Sequence, residues 1–572
     1  MRKLLPIAAL IFIVVGLIAL RKKSSKVLPE DLSAIGCAPS PGLRDIQADG
    51  SGRYAPVFPG WGRHSYKIGT SIDSVQFFFD QGLNLYYSYH FTEALASFKE
   101  AARRDPGCVM AYWGQALAMG PYYNNYFYKM PPAVLPVLEE MNRVAAGVTG
   151  REKDLVEVMG RRYLADTSDS RRKELNRDYA SGLEELVKKY PEDVDIKALY
   201  IDAVMLEHTW DFWNNDGTPK TWTPELVSYC DDILRVDPFH PAALHYQIHL
   251  VEASLHPEKA LHSADVLQGL MPGVPHMVHM SSHMYQRNGL YAKGVEVNER
   301  SSRLVVEYDT MAPYLHLGTG ALTHFNGVGA FCAMNANMYQ TGMADALRCR
   351  SVVVKNSGAA LSNRTYFQYL YMLPAFVNVR SGKWREVLET SAPDSSLHYA
   401  VLLDEFARGM AYVGLKRLDE ARVCLDKLRV LAEDKSLAVR NLPFNAPLDG
   451  ARLGEAILAG EICQAEKKYE EAVRWLEKGV AVEDKMIYRE PRDWPIPVRQ
   501  YLGVCLLKAG KAAAAEKVYR QDLVYNPGNG WTFRGLYQSL IKRDEIKEAE
   551  KYRSGYVQAF SRAEEAPPAS VY

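Results

Sequence analysis

The chain carries no excess of charge of either sign: its 572 residues include 68 Lys plus Arg and 68 Asp plus Glu. Phosphate binding needs a basic excess or patch, so nucleic acid is not expected as a partner. Cysteine is sparse and scattered, with eight residues at 37, 108, 230, 332, 349, 424, 463 and 505 and no CxxC pair. That spread fits small apolar core residues rather than a disulfide or zinc framework, and it neither requires nor excludes an oxidising compartment. There is no phosphate-binding glycine loop, no GxSxG and no HExxH, so no nucleotide cofactor and no familiar hydrolase is expected. No long segment alternates apolar and polar residues, which argues against a sheet. Nor does composition shift strongly along the chain, although this length would suit about four compact domains; a repeat architecture is the natural alternative.

What is present begins at the N-terminus. MRK precedes an uncharged apolar run over residues 4–20, and RKKSSK follows it. Seventeen helical residues reach about 26 Å at 1.5 Å each, slightly short of a hydrocarbon core. Residues 1–26 are therefore expected to be a transmembrane anchor or signal sequence. No small-x-small cleavage site follows directly, and the IGC ending at Cys37 lies too far beyond the run for a lipoprotein site. The basic flank after the run favours a cytoplasmic body, whereas a short basic start resembles an export signal; the expectation leans to an extracytoplasmic, periplasmic body held at the membrane.

The body has a period. Counted from Val75, Gly82 falls at position 8, Ala94 at 20, Phe98 at 24, Ala101 at 27 and Pro106 at 32. Counted from Ile496, Gly503, Gly510, Ala515, Tyr519 and Pro527 occupy positions 8, 15, 20, 24 and 32. Weaker copies start at Leu453, Leu402 and Gly530. This pattern resembles the tetratricopeptide repeat, a 34-residue helix-turn-helix in which small residues let two helices approach. It predicts an all-α, right-handed solenoid of helical hairpins behind the N-terminal helix. The expected divisions are a linker over 27–73, a repeat region with a histidine-rich groove over 74–308, an inserted loop with degenerate repeats over 309–401, C-terminal repeats over 402–565 and a tail over 566–572. Aromatic loops at 120–132, 209–223 and 308–325 interrupt the repeats and are candidate lids.

Histidine is the informative residue. Of fourteen, five fall in two short runs, LHYQIHLVE and HMVHMSSHMY. Set on repeats that begin at Pro241 and Pro275, His245 and His249 take positions 5 and 9, and His279 and His283 take the same positions one repeat later. His276 falls at position 2 and Glu252 at position 12. These positions share one helix face. Two i, i+4 histidine pairs on facing helices, with His276 and Glu252, supply enough donors for one four-coordinate metal site or two adjacent ones. The donor types suit zinc, copper or iron. Met277, Met280 and Met284 lie partly off the stripe and read as packing residues. Glu252 is also the candidate general base if the site is catalytic. Among the rest, His90, His208, His316 and His324 are weaker candidates beside the loops, while His64, His240, His256, His262 and His398 read as loop, turn or outward positions.

DPFHPAALHYQIHLVEAS, HPEKAL and MPGVPHMVHMSSHMYQRNGLYAKGVEVNE together resemble a group of bacterial tetratricopeptide repeat proteins with HxxIHxxE and HxxHMxxHxYxRxGxY elements. The resemblance covers about residues 75–300, and it implies that the 2, 5, 9, 12 stripe lines a concave ligand groove. The leading expectation is a membrane-anchored scaffold that binds a protein or peptide segment in that groove, with the metal site integral to it. Two alternatives stand beside it: a metal-dependent hydrolase or oxidoreductase using the His/Glu site, and a metal-free peptide-binding adaptor.

Overall fold

Close helix pairs need small residues at their crossings, and Gly82 shows how close. In the computed structural model of the protein, a Cβ placed on Gly82 would lie 2.7 Å from the Phe98 ring, and one on Gly503 would lie 2.2 Å from the Tyr519 ring. The structure describes residues 46–572 except 125–127, 313–314, 316–319 and 440–444.

Twenty-five α-helices occupy the described residues. The first eight are α1 (Asp73–Tyr87), α2 (Phe91–Arg104), α3 (Val109–Ala118), α4 (Val134–Val144), α5 (Arg151–Gly160), α6 (Arg172–Lys189), α7 (Val194–Glu207) and α8 (Thr223–Val236). The histidine-bearing region holds α9 (Pro241–Val251), α10 (Leu261–Leu270), α11 (Pro275–Arg287), α12 (Tyr291–Met311), α13 (Gly320–Ala336) and α14 (Tyr339–Ser357). Then come α15 (Thr365–Tyr371), α16 (Leu373–Arg380), α17 (Trp384–Glu389), α18 (His398–Gly414), α19 (Leu418–Leu431), α20 (Pro447–Ala465) and α21 (Tyr469–Glu483). The last four are α22 (Val498–Lys508), α23 (Ala512–Tyr525), α24 (Gly530–Ile541) and α25 (Ile546–Ala559). Each helix packs chiefly on its chain neighbours, the signature of a solenoid of hairpins. Among the described residues the only β pairing is a bridge between Trp213 and Pro219.

The hairpin turn recurs in phase. Position 15 of the frames from Val75, Pro275, Leu402, Leu453, Ile496 and Gly530 is Tyr89, Gly289, Lys416, Lys467, Gly510 and Asp544, and all six have φ between 58° and 76°. A left-handed residue reverses the chain between the two helices of each of these six hairpins, whether or not glycine fills it. The repeat is thus specified by its crossings and its turn together. Two large apolar cores result, one drawn from residues 46–315 and one from 291–571.

Distant parts of the chain close onto the histidine-bearing repeats. On one side, Gly273 N donates to Gly60 O at 3.2 Å, and Phe58 stacks on Tyr308 at 5.3 Å. On the other, a Cβ on Gly289 would fall 2.2 Å from the Gly528 carbonyl oxygen. Arg287 donates to Tyr525 O at 2.8 Å, and Asn529 donates to Tyr291 Oη at 3.0 Å. The seven described cysteines are all buried free thiols, as the scattered pattern led one to expect; Cys37 lies outside the described residues.

The membrane reading requires correction. Among the described residues no helix is long and apolar enough to cross a membrane, and the run over residues 4–20 on which the transmembrane or signal helix rested lies outside them. Among the described residues the fold is an all-α, tetratricopeptide-like solenoid of helix pairs, none of them membrane-spanning. The membrane-anchored scaffold, the membrane as partner and the extracytoplasmic, periplasmic location all drew on the anchor and fall with it.

Candidate metal centre

Helices α9 and α11 each begin on a proline at the first helical position, where the missing N–H costs nothing. Their starts, Pro241 and Pro275, reproduce the 34-residue frame, so His245 and His249 stand on one helix as His279 and His283 stand on the next. Every residue of both helices is buried. The stripe that would face an open groove is covered. His245, His276, His279, His283 and Glu252 show no exposure, and His249 shows 1%.

The covering segment is the non-helical stretch between α21 and α22. From it Glu490, itself buried, reaches the histidines, while Tyr488 Oη donates to Glu252 Oε2 at 3.4 Å. Trp494 anchors the far end against Phe376 at 5.3 Å and Phe406 at 5.2 Å.

The four repeat-phased imidazoles are all held by the same nitrogen. His245 Nδ1 lies 2.6 Å from the Tyr87 carbonyl oxygen. His249 Nδ1 and His283 Nδ1 lie 3.0 and 2.6 Å from the two oxygens of Glu252. His279 Nδ1 lies 2.7 Å from Asn298 Oδ1, whose amide nitrogen is committed to Gly294 O at 2.8 Å. Carbonyl and carboxylate oxygens only accept, so each imidazole donates through Nδ1 and carries its lone pair on Nε2. An acceptor behind Nδ1 with Nε2 presented forward is how metal-ligating histidines are oriented.

Those Nε2 atoms converge. His245 Nε2 is 3.1 Å from His276 Nε2, and the donor atoms of His245, His249 and His276 lie within 4.8 Å of one another. His279 Nε2 is 3.1 Å from His324 Nε2. Glu490 Oε2 lies 2.8 Å from His324 Nε2, 3.7 Å from His283 Nε2 and 4.0 Å from His279 Nε2. Two nitrogens bound tetrahedrally at about 2.0–2.1 Å from one ion stand roughly 3.3–3.4 Å apart, close to the observed spacing. His249 Nε2, fully buried, has no hydrogen-bond partner. The two sets adjoin, with the His249 and His283 rings 5.4 Å apart and those of His276 and His279 6.1 Å apart. His249, Glu252 and His283 also come together, but there the imidazoles face Glu252 through Nδ1.

Electrostatics follow from burial. Burial holds the His245, His276 and His279 imidazoles well below the ordinary value of 6.5, and His249 is lowered too. For His283 burial also disfavours the charged form, but Glu490 and Glu252 outweigh it and raise the value. Burial pushes the Glu490 carboxyl up, yet His283, His324 and His279 prevail and hold it well below 4.5; Glu252 is lowered in the same way, chiefly by His283. At the centre four imidazoles thus have folded values below the unfolded one and His283 one above it; away from it His208 is lowered and His64 raised, which leaves the lowered groups in the majority. The unfolded chain takes up more protons near pH 6.5, so stability of the metal-free protein is present above that value and lost as pH falls below it. The melting temperature of chelator-treated protein is expected to drop between about pH 7.5 and pH 5.5, read by circular dichroism; an unchanged or rising value would contradict the neutral buried imidazoles.

All six candidate residues, His245, His249, His276, His279, His283 and Glu252, are brought together. Glu490 escaped sequence reasoning, and His324 stood only as a weak candidate. A signal for Glu490 existed: the frame from Leu453 closes at residue 486 and the next opens at Ile496, so residues 487–495 are surplus to the period. The aromatic loops also reach the site. Tyr123 lies 5.1 Å from His249, Trp210 6.0 Å from His249 and Phe325 4.5 Å from His279. Tyr89, forced inward by its left-handed turn, packs 4.5 Å from His245 and 5.6 Å from His276. Met277, Met280 and Met284 are buried core residues. His90 pairs with Glu93 through Nδ1 at 2.6 Å, and His208 stacks on Trp222 at 3.6 Å. His316 lies outside the described residues. His64 and His240, read as loop or turn positions, instead flank buried Asp195 at 2.8 and 3.5 Å.

No family model matches the sequence, and no curated protein does. Among solved structures, the chain is similar to one described as the crystal structure of the APC/C hetero-tetramer Cut9-Hcn1, at 12% identity over 86% of this chain and 76% of that one, with a TM-score of 0.26. It is similar to the TPR domain of P58(IPK), at 12% identity over 78% of this chain and 99% of that one, with a TM-score of 0.19. Yeast Tom70 gives 12% identity over 86% and 93% of the two chains, with a TM-score of 0.26. At these TM-scores the likenesses carry no argument; that the chain is a tetratricopeptide-like all-α solenoid of paired helical hairpins rests on its own helix pairs and phased turns.

Proposed function

We propose that the protein holds two transition-metal ions side by side and acts as a metal-dependent enzyme on a small molecule. One set comprises His245, His249 and His276; the other comprises His279, His283, His324 and Glu490. Glu252 orients His249 and His283 from behind rather than ligating. The observation that carries this reading is the common Nδ1 anchoring of the four repeat-phased histidines, which turns every Nε2 inward. Without an ion, burying so many convergent lone pairs has little to offset its desolvation. Imidazole-rich sets suit zinc, copper or iron, whereas magnesium and calcium favour oxygen. Such an ion supplies a Lewis acid and lowers the pKa of a water bound to it.

The enzyme reading is preferred to a peptide scaffold or metal-free adaptor because the histidine stripe is covered by the protein's own residues. A peptide laid along that stripe has no surface to touch. The test is elemental analysis of the purified full chain. About two equivalents of metal are expected, falling to near none in the His245→Ala/His279→Ala double variant, since each set then loses a donor. Metal-free wild-type protein, folded and refusing added zinc, copper and iron, would overturn the proposal. Zinc in the wild type directs assays to hydrolysis, and copper or iron to oxidation.

A further inference from the structure

One cleft adjoins the histidine cluster, between the loop that carries Trp210 and Trp213 and the covering segment that carries Tyr488 and Trp494. Its lining combines these aromatic side chains with three guanidiniums, of which Arg499 is paired with Asp484 and the other two are Arg287 and Arg492. Tyr488 separates the cleft from the centre, facing the one and bonding to Glu252 in the other. Trp210 likewise lines the cleft and lies 6.0 Å from His249.

The guanidiniums are unusual in their partners. Arg287 donates to the main-chain oxygens of Glu252, Ser254 and Tyr525, each at 2.8 Å. Arg492 donates to the same Tyr525 oxygen at 2.9 Å. Both cations therefore meet at one carbonyl, and among the described residues neither has a carboxylate within ion-pair distance. The acidic neighbours are committed elsewhere: Asp484 is held by Arg499 at 2.7 Å, and Asp493 by Arg489 at 3.0 Å. Glu483 accepts from Val498 N at 3.2 Å, and burial pushes its carboxyl up to about 7, so it is a poor counter-ion near neutrality. Burial and the charge of Arg492 together lower Arg287 to about 10. Two adjacent guanidiniums in an aromatic cleft, with no protein anion between them, form a receptor for an external one.

We infer that this cleft is the substrate port of the metal centre and that it takes a small organic carboxylate, its anion between Arg287 and Arg492 and its apolar or aromatic body against Trp210, Trp213 and Trp494. The inference rests on the proposed metal-dependent activity for the word substrate, but binding in the cleft stands apart from metal loading.

The experiment uses the full chain, metal-loaded and chelator-stripped, with tryptophan fluorescence as readout and 3-phenylpropionate, 3-phenylpropanol and inorganic phosphate as probes. Saturable quenching by 3-phenylpropionate is expected, with the neutral alcohol at least about tenfold weaker, because a charge-assisted contact in a half-buried site is worth that much. Affinity for the acid, and not for the alcohol, should fall as salt rises. Arg492→Gln should weaken the acid about tenfold or more, with its melting temperature measured alongside. Equal affinity for acid and alcohol, or acid binding indifferent to salt, overturns the anion site. Phosphate binding that excludes 3-phenylpropionate overturns the organic body. Acid binding by protein that takes up no metal keeps the cleft and sinks the metal reading; metal uptake without acid binding does the reverse.

Discussion

Glu490→Ala is expected to cut the metal content of the purified protein from about two equivalents to about one. Among the described residues Glu490 is the only carboxylate on the Nε2 side of the second set, at 2.8 Å from His324 Nε2 and 3.7 Å from His283 Nε2. Removing it takes away one of four donors and the only negative charge directed at that ion. Loss of affinity should exceed the roughly 10–100-fold that removing an outer hydrogen-bond partner costs a metal site. The first set takes no donor atom from Glu490 and should keep its ion. Helical content should not change, since the residue lies outside every helix. Isothermal titration of the stripped variant against zinc checks the result; two undiminished binding steps would remove Glu490 from the ligand set and place it among the groups that merely balance buried charge.

Gly289→Val should cause the largest loss of stability. Gly289 has φ of 72°, a region that a β-branched side chain adopts at a cost of roughly 1–2 kcal/mol. Its new Cβ would also stand 2.2 Å from the Gly528 carbonyl oxygen, a main-chain atom that cannot rotate aside. Together these should cost on the order of 3–5 kcal/mol, the upper range for single substitutions. Gly510→Val is the control: its φ is 76° and nothing lies within 4 Å of a built Cβ, so it meets the backbone strain without the collision. The difference between the two in denaturant melts measures the docking of the C-terminal repeats on the histidine repeats. Because that docking carries Glu490, Gly289→Val should weaken metal binding at the second set as well. Equal losses in the two variants would show the approach to Gly528 to be unimportant.

The period was legible because each repeat obeys local rules. Small residues at positions 8 and 20 and a left-handed turn at 15 are demands that one hairpin makes on its own residues, and they survive in Tyr89, Lys416, Lys467 and Asp544 even where glycine is absent. The frame in turn put His245, His249, His279 and His283 in phase, which no count of histidines would have done. The N-terminal run was read from composition alone, and its consequences for anchoring found no support in any described helix.

Other features depended on how far the solenoid winds. A frame says which face a residue is on, not what returns to cover that face. His324 comes from the first turns of α13 and Glu490 from surplus residues more than two hundred positions beyond His283, and Glu490 arrives only because distant repeats close on α9 and α11. That closure changed an inward stripe into a sealed one. It also fixed the direction of each imidazole, since the Tyr87 carbonyl and Asn298 that hold His245 and His279 belong to other helices. Sequence by itself determined the hairpins, their phase and the sharing of one face by five histidines and Glu252. Only tertiary structure decided which nitrogen of His245, His279 and His283 points inward, because that depends on acceptors contributed from elsewhere in the chain.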